Sequence, residues 1–211
     1  MPVARSFIAA VRRALALATL TLALGACDRQ NAAQPQGGGQ AAAAVVPDAA
    51  TQPLPKADGA RYRILRDAAG SDMPDNEVAN ERNVATRLRS LVGQPTLINL
   101  WATWCAPCVE ELPTLDAVAA ANAGTGHVVV ISQDMGDGSE PRGFLQQRGW
   151  TQLKGWHDPE NLLGIAYGGQ LPVTLLFNAE GKEVARVVGP LDWRGGEAAA
   201  LLREAGLSAP R

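Results

Sequence analysis

The apolar positions of the chain change texture twice. Up to residue 27 they form one aperiodic block, in which the uncharged run from Ala14 to Cys27 follows Arg5, Arg12 and Arg13. Between residues 28 and 59 large apolar side chains almost vanish, and Ala, Gln, Gly and Pro surround Gly37-Gly38-Gly39. Such a stretch buries too little to offset the entropy of ordering it. From Arg61 onward, strand-like and helix-like patterns alternate with short Gly, Asn, Asp and Pro breaks, which predicts an α/β sheet. Residues 96–102 (TLINLWA) and 128–132 (VVVIS) are nearly continuous apolar runs, as strands covered on both faces require. Residues 173–177 (VTLLF), the turn Asn178-Ala179-Glu180-Gly181 and residues 183–188 (EVARVV) predict an antiparallel hairpin. Helices are predicted over 105–121, 140–148, 159–166 and 196–205, with Pro113 kinking the first. Asp158-Pro159 reads as an N-cap and first-turn proline, which makes His157 a loop residue.

Composition narrows the classes. With 211 residues, 46% hydrophobic and 19% charged, the chain supports one ordinary core and a tail. The division expected is an export signal over 1–27, a flexible tether over 28–59 and a folded domain over 60–211. Nineteen basic against 21 acidic residues, a net charge of −2, give no electrostatic footprint for a phosphate backbone, so no nucleic-acid partner is expected. Three cysteines are too few for a disulfide scaffold, and the odd number leaves one for other work.

The uncharged N-terminal run is fourteen residues long, short of the roughly 20 that a spanning helix needs, so cleavage is expected rather than a retained span. Leu24-Gly25-Ala26-Cys27 is similar to the bacterial lipobox, in which the cysteine receives a diacylglycerol; Cys27 is therefore the expected lipid anchor. Asp28 resembles an inner-membrane retention signal. A coil of 28–59 would span roughly 30 Å root-mean-square. The location expected is the periplasm, with the domain tethered to the inner membrane.

The chemistry concentrates in Trp104-Cys105-Ala106-Pro107-Cys108, where two thiols three positions apart meet a strand-to-helix junction. A helix N-terminus favours an anion, so Cys105 is the expected nucleophile. Cys108, one turn on, can attack a mixed disulfide on Cys105 and is the expected resolving thiol. Pro107 suits a first helical turn. A zinc site lacks ligands, since only His127 and His157 remain, and a covalent haem site lacks its histidine, Val109 standing after Cys108. No metal or cofactor is expected. A purely structural disulfide stays open. Glu111 is three residues past Cys108 on the same helix face, whereas Glu110 is turned about 160° away. A partly buried carboxyl there could exchange protons with Cys108; a surface glutamate is the alternative. Trp104 abuts the nucleophile and is expected to shape a contact surface, with Trp150, Trp156 and Trp193 serving packing.

The unbroken stretch from Asn99 through Cys105-Ala106-Pro107-Cys108-Val109-Glu110-Glu111 to Pro113 resembles the active site of the TlpA/ResA-like branch of the thioredoxin superfamily. Val188-Gly189-Pro190-Leu191-Asp192-Trp193 resembles the same branch, and the resemblance covers about residues 60 to 206. It implies a thioredoxin fold, a mixed central sheet flanked by helices. It also implies that Leu171-Pro172 is the cis-proline loop facing the thiols, so that Trp104, Ala106, Pro107 and Leu171 contact substrate while Cys105, Cys108, Glu111 and Pro172 serve catalysis. Asn99 stands where thioredoxin itself has a buried Asp, which passes proton handling to Glu111. The function implied is reduction of protein disulfides. The partners implied are an oxidised client, either apocytochrome c or a copper-centre assembly factor of an oxidase, and a membrane electron donor of the DsbD/CcdA type. Rival readings are a copper metallochaperone, a peroxiredoxin-like peroxidase and a non-catalytic binding module.

Overall fold

In a computed structural model of the chain, residues 61–211 are described. The strands are β1 (Arg63–Leu65), β2 (Glu77–Ala79), β3 (Ala85–Arg87), β4 (Thr96–Trp101), β5 (His127–Ser132), β6 (Lys154–His157), β7 (Val173–Phe177) and β8 (Glu183–Val188). The helices are α1 (Ala106–Ala121), α2 (Ser139–Gln147), α3 (Leu162–Ala166) and α4 (Gly196–Ala205), with a short 3-10 helix at Leu88–Leu91. They build one mixed sheet in the order β1-β8-β7-β4-β5-β6-β2-β3. β4, β5 and β6 run parallel, and β7 returns antiparallel beside β4.

Side-chain alternation along the strands sorts the core into two layers. Leu97 and Trp101 of β4 and Val128 and Val130 of β5 face α1, α2 and α4. Ile98 and Leu100 of β4 and Val129 and Ile131 of β5 face Leu163 of α3 and Leu88 and Leu91 of the 3-10 helix. All six residues of β4 are buried, which explains the unbroken apolar run. Asn99 of β4 and Thr174 of β7, both buried and polar, are paired opposite each other.

Two expectations need correction. The helix predicted from residue 159 begins at Leu162, because Asp158 to Asn161 close a turn in which Asn161 N–H donates to Asp158 O at 3.1 Å and Asn161 takes φ 53°. Asp158 is therefore not the N-cap, yet its carboxylate still accepts from Leu163 N–H at 2.8 Å. His157 is not a loop residue: it ends β6, buried, with Ser132 and Ala79 as its strand partners. β1, β2, β3 and β6, three or four residues each, are strands that the apolar pattern does not predict. The signal expected over 1–27, the tether over 28–59 and Cys27 lie outside the described residues. Among the described residues no helix is long and apolar enough to cross a membrane.

Candidate active site

β4 ends at Trp101, and four residues later Cys105 takes the N-cap position of α1. Proline at the second helical position leaves no amide to satisfy where the first turn opens. Cys105 and Cys108 are joined, with an S–S distance of 2.07 Å and Cα atoms 5.3 Å apart. Cys105 is 6% exposed and Cys108 fully buried, so an incoming sulfur can reach only the first. Ala106 is exposed, Pro107 half-buried, and Trp104 stands 71% open beside the disulfide.

The turn carrying the thiols is fastened to the end of β5. The Asp134 carboxylate accepts from Thr103 N–H at 3.0 Å, from Thr103 Oγ1–H at 2.7 Å and from Ser132 Oγ–H at 2.6 Å. Gln133 N–H donates to Trp101 O at 2.8 Å, and His157 Nε2 lies 2.8 Å from Asp134 O. Sequence reasoning missed this clasp. Exposed Met135 follows Asp134 directly, as Trp104 follows Thr103, so the bonded pair carries two large apolar side chains on the same rim.

Glu111 is buried beneath Cys108, not on the helix surface. Its Oε1 accepts from Asn99 Nδ2–H at 2.7 Å and its Oε2 from Leu191 N–H at 3.0 Å. Asn99 Nδ2–H also donates to Thr174 Oγ1 at 2.9 Å. Burial pushes the Glu111 carboxyl up to about 7, against the opposing pull of Leu191, Asn99 and the Trp193 indole. Trp193 Nε1 itself closes no hydrogen bond, so it stabilises the carboxylate only from a distance. A buried acid poised near neutrality, one helical turn from a buried thiol, can hold or release a proton there. Glu110, by contrast, points outward and meets Arg61 at 3.0 Å. An Asn inside an apolar strand is the one signal in the sequence that could have revealed this network, because a buried amide needs partners.

The Leu171–Pro172 peptide is cis, as the resemblance implies. Pro172 O accepts from Gly189 N–H at 2.9 Å. The register pairing Leu100 with Val173 sets Pro172 beside the end of β4, and Leu171 packs against the core layer that contains both cysteines. Cys105, Cys108, Glu111, Trp104, Ala106, Pro107, Leu171 and Pro172 thus come to one end of the sheet. Cys27 lies outside the described residues.

The Redoxin family model matches residues 68–202. The chain belongs to the Redoxin family. Its TlpA/ResA-like character within the thioredoxin superfamily follows from its relatives and its fold together. It is 33% identical over 100 residues to the thiol:disulfide interchange protein HelX of Rhodobacter capsulatus, covering 47% of this chain and 54% of that protein. It is 25% identical over 121 residues to the thiol-disulfide oxidoreductase ResA of Bacillus thuringiensis, covering 57% and 69%. The chain therefore matches about half the length of HelX and about two thirds of ResA. Among solved structures, a putative thiol:disulfide interchange protein DsbE from Chlorobium tepidum superposes with a TM-score of 0.55 at 25% identity, covering 64% of this chain and 94% of that one. A putative thioredoxin from Neisseria meningitidis gives a TM-score of 0.55 at 22% identity, covering 66% and 91%.

Proposed function

We propose that this protein is a thiol-disulfide oxidoreductase that reduces disulfides of client proteins. The observation that carries the reading is the asymmetry of the pair: a rim-level Cys105 at a helix N-terminus, backed by a sealed Cys108 and a buried carboxyl near neutrality. In the reduced protein the Cys105 thiolate attacks a client disulfide; a Cys105–client bond forms, and one client sulfur leaves as thiolate and takes a proton. The Cys108 thiol passes its proton to Glu111 and attacks Cys105 Sγ. The Cys105–Cys108 disulfide forms, the second client sulfur leaves, and two electrons have moved from the dithiol to the client.

The clients are oxidised apocytochrome c or an oxidase copper-centre assembly factor. Electrons return from a membrane donor of the DsbD/CcdA type, and the domain works in the periplasm on a tether ending at lipidated Cys27. The lipobox-like Leu24-Gly25-Ala26-Cys27 supports the anchor, and the named activities of HelX and ResA support the reaction. Trapping tests it. Cys108→Ser expressed in the envelope should accumulate client adducts that vanish on reduction, whereas Cys105→Ser should accumulate none. Adducts held equally by both variants, or by neither, would defeat the assignment.

A further inference from the structure

On the face of the sheet opposite α1, a charged pair sits where the surrounding layer is apolar. Arg186 of β8 is 6% exposed and Glu183 5%, with Arg186 Nη2 3.0 Å from Glu183 Oε1. A buried pair of this kind is often no more stable than apolar side chains of the same volume, so stability alone does not account for it. The guanidinium also covers the Tyr167 ring, its Cζ 4.6 Å from the centroid. Tyr167 is the C-cap residue of α3, a helix of only five residues. Immediately after it come Gly168 and Gly169, at φ 85° and 67°, with open space where side chains would be. The chain then passes through Gln170 to Leu171 and Pro172 beside the disulfide.

The strap 168–171 is thus hinged on two glycines, tied by Gly169 N–H to Gly164 O at 2.8 Å and by Arg63 Nη2–H to Gln170 Oε1 at 3.3 Å. The second tie is exposed and weak. Leu163 and the bond from Gly164 N–H to Gln133 Oε1 at 2.9 Å hold α3 against the sheet, and the Arg186–Tyr167 stack adds the contact with β8 at the strap's origin. We propose that Arg186, clamped by Glu183 and stacked on Tyr167, is a positioning residue that fixes the strap 168–171 for docking of the client segment beside Cys105. This rests on the dithiol reading above. Tyr167 acts through its ring face and not its hydroxyl, which burial keeps a neutral phenol, its pKa pushed up to about 12.

The test uses the full chain and insulin disulfides as the probe. Tyr167→Leu removes the stack and leaves the ion pair; Arg186→Lys keeps the ion pair and loses the planar face; Tyr167→Phe keeps both. The first two should raise KM about fivefold with kcat within about twofold, the double variant should be no worse than either, and Tyr167→Phe should match the parent. Amide exchange at Gly168 and Gly169 should quicken about tenfold in the same two variants, with Ile98 and Leu100 unchanged. Parental KM and parental exchange in Tyr167→Leu and Arg186→Lys would overturn the assignment, as would a Tyr167→Phe that behaves like Tyr167→Leu. A parent chain that leaves insulin intact, together with a Cys108→Ser variant that traps no client, defeats the redox reading instead, and the exchange data then decide the positioning role alone.

Discussion

Glu111 shows how one buried residue ties stability to chemistry. Its folded pKa of about 7 lies above the ordinary 4.5, so between those values the folded protein binds a proton that the unfolded chain has released. Stability from this group is intact below pH 4.5 and falls as pH rises through 7, by about 3 kcal/mol in all. Glu111→Gln should therefore gain about 3 kcal/mol on the parent between pH 4 and pH 8, read from urea unfolding at both values. The same change should slow closure of the Cys105–Cys108 disulfide about 100-fold and remove the step near pH 7 from its rate profile. Parallel stability curves for the two proteins would show that the carboxyl does not titrate there. Trp104 is the converse case, open and without a packing role. Trp104→Ala should leave stability within about 0.5 kcal/mol yet raise KM for protein disulfides about tenfold, with reduction by dithiothreitol unchanged. Spacing on a helix made Glu111 legible in the sequence. Its partners were not, because Asn99, Thr174 and the Leu191 amide come from three segments that only the register of β4 on β7 and the path of the chain after β8 bring together.

Among the elements, legibility followed how much each decides by itself. β4, β5 and β7 announce themselves because strands buried on both faces must be largely apolar, and β8 because the Asn178–Gly181 turn folds it back on β7. β1 (RIL), β2 (EVA), β3 (ATR) and β6 (KGWH) are three or four residues long, too short for alternation to show, so neighbours define them and local pattern does not. His157 illustrates the cost: beside Asp-Pro it reads as loop, but pairing with Ser132 carries β6 one residue further and buries the ring. That extension matters to the site, since His157 buttresses Asp134, and Asp134 ties down the turn before Trp104. Asp134→Ala breaks the bonds to both Thr103 groups and to Ser132, and leaves those donors buried or half-buried. It should cost about 3 kcal/mol in denaturant unfolding and make Cys105 alkylate heterogeneously in the reduced protein. An undisturbed unfolding midpoint would mean that the junction between β4 and α1 holds its shape without the clasp.

For the molecule as a whole, the direction of electron flow is a question about which redox state the fold prefers. A closed cycle links the folded and unfolded disulfide: whatever free energy the fold adds to one redox state appears as a difference in unfolding stability between the two. A strong oxidant is one whose reduced form is the more stable, as when a thiolate is heavily favoured. Here the pressures point the other way. Cys108 is sealed from water, which disfavours its thiolate, and the charge nearest beneath it is the carboxylate of Glu111. Ala106 and Pro107 between the sulfurs add no cation, leaving the helix N-terminus at Cys105 as the main stabiliser of negative charge. The oxidised protein should thus be the more stable, with a later urea midpoint than the dithiol form at pH 7. Its potential against glutathione or dithiothreitol should fall nearer about −270 mV than about −120 mV. A dithiol form that outlasts the disulfide form in urea would reverse the proposed direction of flow, from reduction of clients to their oxidation, with the same cysteines in the same two roles.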